Sequence, residues 1–336
     1  MRSRTKLECA MLRRILVVVF AAALAYGAAP CAPAAAQGFP SKVIRMIVVY
    51  PPGGTSDGVA RPLADKLSAQ MGQQVIVENK GGAGGSIGMD AMAKSAPDGY
   101  TLAFSAISPV TLLPHVGKVP YDALKDIAPV ASVMYSPVYI LATSAFTGKD
   151  FNDVIAQAKA RPGSLRLATS GIATLGHLML EQIKLAAGVD ITHVPYKGGG
   201  QVITDAAGGQ FELFTSNPSP GVSALLAQGR MRVIAVAAAQ RLPAFPNAPT
   251  MTELGYPDSN LTSQFGVFAP GRTPEAVVKR LNAEINKALA APDMIERLTK
   301  LENIPSPATV EQFARTVRTE YDANARIVAK AGIRVD

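Results

Sequence analysis

The sequence predicts an α/β protein built from two similar lobes, each with a sheet covered by helices. Two observations support this prediction. Short apolar runs alternate with amphipathic helical segments between residues 43 and 105, and the same alternation restarts near residue 165. The chain has 336 residues, which is long enough for two domains with cores of their own.

The first alternation begins with an apolar run at 43–49, which is typical of a parallel strand buried on both faces. The amphipathic helix that follows ends at Gly72. Its apolar face consists of Ala60, Leu63, Ala64, Leu67 and Met71. A strand at 74–79, a helix at 87–95 and a strand at 100–105 complete the series. This order of elements predicts a parallel sheet.

The second alternation predicts another sheet of the same kind. Its predicted strands are 165–169, 191–194, 211–215 and 233–237. Its predicted helices are 174–187 and two more that begin near Gln201 and Pro220. The following segments, 274–289, 294–298 and 310–331, are helical and come too late to belong to this sheet alone.

The late helices therefore predict a discontinuous first lobe. We expect lobe 1 to comprise residues 37–139 and 262–336, and lobe 2 to comprise residues 140–261. Such an arrangement leaves a cleft between the lobes, where a ligand would bind.

The first 36 residues have the three-part layout of a secretory signal peptide. Basic residues precede an apolar stretch at 15–29, which is short for a membrane span, and three alanines at 34–36 suit cleavage after Ala36. Met11 offers a second start codon, since Arg13 and Arg14 would still supply the charged region. An exported protein of this kind indicates a periplasmic location.

Removal of this segment also removes both cysteines, so the mature chain has neither a disulfide nor a thiol nucleophile. The formal net charge falls from +8 to about +4, with 28 basic and 24 acidic residues left. No basic stripe remains, which argues against binding to nucleic acid. The three histidines lack the spacing of a zinc site, and no cofactor motif is complete.

The loop PPGGTSD at 51–57 follows the first strand and runs into a helix start, at the sheet edge where α/β proteins bind ligands. Gly53 and Gly54 let backbone N–H groups approach a ligand, and Thr55 and Ser56 add hydroxyls. Asp57 either caps the helix or contacts the ligand. The loop suits an anion, because a helix N-terminus carries partial positive charge.

Two loops of the second lobe repeat the order of strand, glycine-rich turn and helix start. In the first, Thr169 and Ser170 end a strand, Thr174 caps the next helix, and His177 lies in its first turn. In the second, Lys197 precedes three glycines. Three such loops predict a site for one small acid without a cofactor. The alternative is that these turns need glycine and hydroxyls for structural reasons alone.

The stretch GGSIG at 84–88 formally matches the nucleophile elbow of serine hydrolases. Ser86 would be the nucleophile, although it comes seven residues after Asn79 instead of directly after a strand. An exported hydrolase using Ser86 is therefore the rival hypothesis from another class.

Several motifs together resemble the Bug family, the TctC-like extracytoplasmic solute-binding receptors of tripartite tricarboxylate transporters. These motifs are FPSKVIRMIVVYPPGGTSD, VIVENKGGAGGSIG, APDGYTLAFS, ATSGIATLGHL, ITHVPYKGGGQVITD and FGVFAPGRTPEAVVKRLN. They occur in order from Phe39 to about Ile333 and so span the mature chain.

The resemblance implies a type II periplasmic-binding-protein fold whose two lobes close on a small carboxylate. It also implies ligand contacts from the loop 53–57, from Ser105, from the loop 169–177 and from the region 197–205. In relatives that take amino acids, an acid at the place of Asp205 meets the ammonium group. Family members often carry a tryptophan near the position of Gln264, whereas this chain has none.

The function implied is capture of a small organic acid for the membrane permease subunits of a tripartite transporter, by a protein expected to be a monomer and not an enzyme. A ligand-binding component of a signalling system would carry the same features. The ligand could be a dicarboxylate, a tricarboxylate, an acidic amino acid or an aromatic acid.

Overall fold

The computed structural model describes residues 38–331, which form two β-sheets with helices packed on their faces. The strands are β1 (Ile44–Val48), β2 (Val75–Asn79), β3 (Thr101–Ala106), β4 (Ile127–Ser136), β5 (Val138–Thr143), β6 (Arg166–Thr169), β7 (Thr192–Pro195), β8 (Leu213–Ser216), β9 (Met231–Ala237), β10 (Ser263–Pro270) and β11 (Ile304–Pro305). The helices are α1 (Thr55–Met71), α2 (Ser86–Ala93), α3 (Ser108–Thr111), α4 (Leu113–Val116), α5 (Phe151–Ala160), α6 (Leu175–Ala187), α7 (Gly199–Ala207), α8 (Pro220–Ala227), α9 (Glu275–Leu289), α10 (Pro292–Thr299) and α11 (Val310–Ala331). The predicted signal segment lies outside the described residues.

The first sheet has six strands in the order β11-β4-β10-β3-β1-β2. Strands β1, β2 and β3 are parallel, as predicted, and Met46 of β1 lies opposite Val77 and Leu102. Strands β10, β4 and β11 extend the sheet with antiparallel pairs. The sheet is therefore mixed, and the prediction of a parallel sheet is correct only for its first three strands.

The second sheet has five strands in the order β7-β6-β8-β5-β9. Strand β6 is parallel to β7 and β8, whereas β5 is antiparallel to β8 and β9. The prediction of an α/β protein is confirmed in both sheets. The strands β4, β5, β10 and β11 and the helices α3, α4 and α5 were not predicted. In β4, Pro129 interrupts the apolar run and faces β10 beside a register shift, which is where an antiparallel strand tolerates proline.

The late helices pack on the first sheet. Both α9 and α11 contact β4, and the ring of Phe313 on α11 lies 5.5 Å from the ring of Phe268 on β10. Both phenylalanines are buried. This packing ties the C-terminal part of the chain to the core built from β1 and β3.

The chain passes between the two sheets at two places. Pro137 alone separates β4 from β5, and the segment between Ala237 and Ser263 leads back into β10. Ser136 and Ser263 lie opposite each other in the pairing of β4 with β10, so the two passages run side by side. No helix within residues 38–331 combines the length and apolar character needed to cross a bilayer.

Candidate functional site

Residues of both sheets line one cavity of about 680 Å³, counting the part that is open to solvent. From the elements around the first sheet come Tyr50, Gly54, Thr55, Ser56, Ala106, Ser108, Ser263 and Phe265. From those around the second sheet come Val138, Ser170, Thr174, Leu175, Gly176, Gly199, Ile203, Thr215, Ser216 and Asn217.

Three helices longer than two turns begin at this cavity, one from the first sheet and two from the second. Helix α1 begins after Gly54, α6 after Thr174 and α7 after Gly198, and none of these three N-cap residues makes a side-chain capping bond. The first N–H groups of a helix have no partner within the helix, so they are available to a ligand when no side chain caps them. Each helix start also carries about half a positive charge.

Two other helices, α5 and α8, have N-termini that are capped by a side chain. The N-cap Asp150 of α5 accepts hydrogen bonds from Asn152 N and Asp153 N, and the N-cap Ser219 of α8 accepts one from Val222 N. Neither of these capped helix starts lines the cavity. The starts of α2, α9 and α10 are also uncapped and lie elsewhere. The distinguishing feature of the cavity is therefore that three uncapped starts, from both sheets, meet there, which favours an anionic ligand.

The polar side chains of the lining are hydroxyls and one amide. Within residues 38–331, no Asp, Glu, Lys or Arg lines this cavity. Burial raises the pKa of the Tyr50 hydroxyl, and the Ser108 and Ser105 hydroxyls nearby oppose that effect only in part. Tyr50 therefore stays protonated at neutral pH and can donate a hydrogen bond.

The remaining walls are apolar. They consist of Ala106, Val138, Leu175, Ile203 and Phe265. The ring of Phe265 stacks on that of Phe104, at 6.3 Å between centroids, which fixes its orientation. The cavity therefore combines anion-binding groups with surfaces that suit the hydrocarbon body of a ligand.

Five of the predicted site residues line this cavity: Gly54, Thr55, Ser56, Ser170 and Thr174. Thr55 Oγ1 donates to Asn217 O at 3.3 Å and to Pro218 O at 2.9 Å. The first loop of the first sheet thus contacts the end of β8 in the second. The other predicted residues, Gly53, Asp57, Ser105, Thr169, His177, Lys197 and Asp205, do not line the cavity.

Asp57 faces away from the cavity and stabilises the loop. Its carboxylate accepts hydrogen bonds from Arg61 Nη2 at 2.8 Å, Asn79 Nδ2 at 2.9 Å and Gly53 N at 3.2 Å. Burial alone would raise the pKa of Asp57, but these hydrogen bonds outweigh burial and hold the pKa below its usual value. The prediction that Asp57 caps the helix is wrong, because Gly54 is the N-cap and no side chain caps α1; Asp57 instead holds the loop through Gly53 N.

Three predicted residues lie just behind the lining. Ser105 is fully buried, and its hydroxyl makes no hydrogen bond of acceptable geometry within the described residues, although it lies near Tyr50. Thr169 Oγ1 donates to Gly171 O at 3.0 Å. His177 Nδ1 accepts from Ala173 N at 3.2 Å. Thr169 and His177 thus order the loop that presents Ser170 and Thr174.

Lys197 and Asp205 do not line the cavity. Lys197 is exposed. Asp205 accepts a hydrogen bond from the Tyr196 hydroxyl at 2.7 Å. Burial and this bond to Asp205 raise the pKa of Tyr196 to about 12. The resemblance placed Asp205 against a ligand ammonium group, whereas the structure pairs it with Tyr196.

The lining residues that were not among the predicted ligand contacts come mainly from strand ends, although the family resemblance had pointed to 215–218 and to the neighbourhood of Gln264 as lying near the pocket. Thr215, Ser216 and Asn217 end β8 and follow it, and Ser263 and Phe265 belong to β10. Thr215 and Ser216 carry the same signal as Thr169 and Ser170, which is hydroxyls at the carboxyl end of a strand. Ser263 and Phe265 have no such signal, because β10 itself was not predicted.

Glycines allow the loops of the two sheets to meet. A Cβ on Gly200 would overlap Pro52 O, and a Cβ on Gly84 would come within 2.7 Å of Ile172 O. Neither position has room for a side chain. The glycines of these loops therefore allow the backbones of the two sheets to approach each other, in addition to lining the cavity at Gly54 and Gly199.

Ser86 has no catalytic partner in this arrangement. It begins α2 after a 3₁₀ turn at Ala83–Gly85, and its hydroxyl donates to Ala83 O at 3.0 Å. The nucleophile-elbow hypothesis requires a sharp turn directly after a strand, which this segment does not form. Within residues 38–331, no group of three or more His, Cys, Asp or Glu side chains could hold a metal ion.

Comparison with known proteins agrees with the geometry. The family model described as tripartite tricarboxylate transporter family receptor matches residues 59–333. BugT of Bordetella pertussis is 36% identical over 309 residues, which cover 90% of this chain and 94% of that protein.

Solved structures of the same shape include the periplasmic binding protein BugD, with a TM-score of 0.83 and 30% identity over 88% of this chain and 99% of that one. MatC from Rhodopseudomonas palustris with bound malate has a TM-score of 0.81 and 29% identity over 86% and 100% of the two chains. An R. palustris protein with adipate has a TM-score of 0.83 and 30% identity over 88% and 99%. The chain therefore belongs to the receptor family of the tripartite tricarboxylate transporters, the family to which the Bug proteins belong.

Proposed function

We propose that this protein is an extracytoplasmic receptor that captures a small organic carboxylate and delivers it to the permease of a tripartite transporter. The observation that carries the proposal is the convergence of three uncapped helix starts, from both sheets, on a cavity without a charged side chain. Backbone N–H groups and hydroxyls then hold the carboxylate, and helix dipoles supply the positive potential.

This way of holding an anion needs no basic side chain. Hydrogen bonds to a charged group are each worth about 1.5–3 kcal/mol, so a few of them suffice for binding. Gly54, Thr55 and Ser56 at the start of α1, with Ser170 and Thr174 opposite, are the residues proposed to hold the carboxylate. Gly53, Asp57, Ser105, Thr169 and His177 support them, whereas Lys197 and Asp205 stand apart from the ligand.

We further propose that the two sheets belong to two lobes that close on the ligand by a hinge motion. The expected bounds, residues 37–139 with 262–336 and residues 140–261, are moved to a boundary at Pro137, because Val138 and Tyr139 pair within the second sheet. This division is supported by the two passages of the chain between the sheets, at Pro137 and between Ala237 and Ser263. Hinge closure around a ligand uses a few residues between rigid bodies, and a single-residue passage fits that role.

The relatives solved with malate and adipate are the best guide to the ligand. Four- to six-carbon dicarboxylates are therefore the first compounds to test. The apolar walls at Leu175, Ile203 and Phe265 suit the methylene groups of such acids. A periplasmic location, cleavage after Ala36 and a monomeric state complete the proposal.

A thermal-shift screen of organic acids tests the proposal. At a concentration 100 times its Kd, a ligand adds about 2.7 kcal/mol to the free energy of unfolding, which raises the midpoint temperature by roughly 5 °C. Titration calorimetry then gives the Kd of the best acid. A screen in which no organic acid shifts the midpoint at millimolar concentration would overturn the proposal.

The same titration assigns the loop. In the variant Gly54→Val, the added side chain occupies the start of α1, close to Gly200 N, which lies 3.5 Å from an ideal Cβ. We expect binding to be lost while the protein still folds. The control is Lys197→Ala, which should bind as the wild type does, because Lys197 does not line the cavity.

A further inference from the structure

Asn217 lies at a meeting point of the two sheets. It follows β8 of the second sheet and lines the cavity. Its side-chain Nδ2 donates to Pro137 O at 2.9 Å, and its Oδ1 accepts from Ser263 Oγ at 3.4 Å. One amide group therefore contacts both passages of the chain between the sheets.

These two contacts fall where the passages run side by side. Pro137 is the single residue between β4 and β5, and Ser263 begins β10 opposite Ser136. A rotation of one sheet against the other must change backbone angles at these passages. Such a rotation would also stretch or break the hydrogen bonds of the Asn217 amide.

The main chain of Asn217 makes a third contact, toward the ligand loop. Its carbonyl oxygen accepts from Thr55 Oγ1 at 3.3 Å, and Thr55 is the first residue of α1. Asn217 thus contacts the cavity, the two passages and the first-sheet loop at one place.

We propose that Asn217 is a positioning residue. Its amide joins the two passages through the hydrogen bonds to Pro137 and Ser263, here called the clasp, and thereby fixes the angle between the sheets at which the cavity is closed. This inference rests on the proposed function, since it concerns how the receptor closes on its ligand.

The chemistry of the side chain explains why an amide suits this place. The contact with Pro137 needs a donor and the contact with Ser263 needs an acceptor, and asparagine supplies both. Aspartate has the same shape but only acceptors, so it would set a negative charge against Pro137 O. Alanine removes both bonds without adding charge, which makes Asn217→Ala the cleaner variant.

A control variant is available in Asn282. Its side chain donates to Val130 O at 2.8 Å and to Ala308 O at 3.0 Å, and it is buried. Both acceptors belong to the first sheet and the segments packed on it. Asn282→Ala therefore loses comparable hydrogen bonds without touching the cavity or either passage.

The experiment uses the full mature chain with adipate and malate as probes. Small-angle scattering measures the radius of gyration with and without a saturating probe, and stopped-flow measures dissociation. We expect the wild type and Asn282→Ala to become more compact on binding. We expect Asn217→Ala to lose most of this compaction and to release the probe about tenfold faster, which corresponds to about 1.4 kcal/mol for the two lost hydrogen bonds.

The outcomes separate the alternatives. If Asn217 merely contacts the ligand, its variant releases the probe faster but becomes as compact as the wild type at saturation, and the clasp is wrong. If its role is only structural, the midpoint temperature falls as in Asn282→Ala while compaction and release are unchanged, and the clasp is again wrong. A wild type that binds without compaction overturns the clasp alone, whereas a wild type that binds neither these probes nor any other acid overturns the receptor function.

Discussion

The imidazole rings of His177 and His193 stack with their centroids 4.2 Å apart and their planes inclined by only 10°. His177 Nδ1 accepts from Ala173 N, and His193 Nε2 lies 2.8 Å from Thr169 Oγ1. Burial lowers the pKa of both rings, and the positive charges of a protonated His177 and of Lys184 help to lower that of His193 to about 3. Glu181, 3.9 Å from His177 Nε2, only partly opposes the shift of His177. The pair is therefore neutral at pH 7.

This pair predicts a loss of stability in acid. The unfolded chain binds a proton on each histidine near pH 6.5, whereas the folded chain binds the proton on His193 only near pH 3. Between these pH values the unfolded state holds more protons, so the free energy of unfolding falls as the pH falls. In His193→Gln one of the two titrations is gone. We expect its midpoint temperature to fall less than that of the wild type between pH 7 and pH 5, measured by calorimetry. Equal slopes in the two proteins would contradict the prediction.

The close approach of Gly200 to Pro52 predicts a variant whose two lobes cannot close on the ligand. A Cβ at position 200 would overlap Pro52 O, so the loops of the two sheets could not meet in Gly200→Ala. Gly200 does not line the cavity, and no ligand contact is removed. We expect affinity for the best organic acid to drop at least about tenfold in titration calorimetry, a change of about 1.4 kcal/mol.

Gly208→Ala is the matched control for this variant. It is the C-cap of the same helix, and the atoms nearest to its Cβ would be Gln210 Nε2 at 3.4 Å and Asp205 O at 3.5 Å, which are ordinary contacts. Its affinity should equal that of the wild type. If Gly200→Ala also binds normally, closure does not require this contact.

The three hydrogen bonds to Asp57 predict a loss of stability in Asp57→Asn. The neutral amide accepts more weakly from Arg61, so the variant should lose about 1–2 kcal/mol in urea unfolding at pH 7. The pKa of Asp57 lies below the ordinary value of 3.8, so its contribution is present above pH 3.8 and is lost as the pH falls through the lower folded value. The difference between the two proteins should therefore shrink in strong acid.

Asp65 on the same helix provides the control, because its side chain is exposed. Asp65→Asn should change the free energy of unfolding by no more than about 0.5 kcal/mol. A comparable loss in both variants would show that charge on this helix, and not the contacts of Asp57, sets the stability.

The bond between Tyr196 and Asp205 predicts that Asp205→Asn still binds the ligand. The Asp205 carboxylate is satisfied by the Tyr196 hydroxyl and does not line the cavity. We expect the Kd for organic acids to stay within a factor of about two, since no contact of the cavity changes. A large loss of affinity in titration calorimetry would place Asp205 in contact with the ligand.

Local signals in the sequence predicted a large part of the fold and about half of the proposed site. The order of strand, glycine and helix start pointed to Gly54, Thr55, Ser170 and Thr174, which line the cavity, because each such loop is defined within a few residues. The role of Asn217 could not be predicted in this way. It depends on Pro137 and Ser263, which are distant in the sequence and meet only when β4 pairs with β10.

The same limit applies to the charged residues. The sequence shows Asp57 and Asp205 near loops that are predicted to bind the ligand. Only the tertiary structure shows that the Asp57 carboxylate accepts a hydrogen bond from Asn79 and the Asp205 carboxylate one from Tyr196. A strand such as β4, interrupted by Pro129, is also recognised only once its partner β10 is in place.

The proposed carboxylate contacts are hydroxyls and main-chain N–H groups, whereas the apolar walls are side chains, and this division of labour bears on how receptors for other ligands arise. Substitutions at Leu175, Ile203 or Phe265 would change the space available to the hydrocarbon part of a ligand and would leave in place the side chains proposed to hold its carboxylate. The receptor encoded by a duplicated gene can thus change its ligand specificity through a few substitutions in the apolar walls. The same three positions are the natural starting point for a library of engineered biosensors.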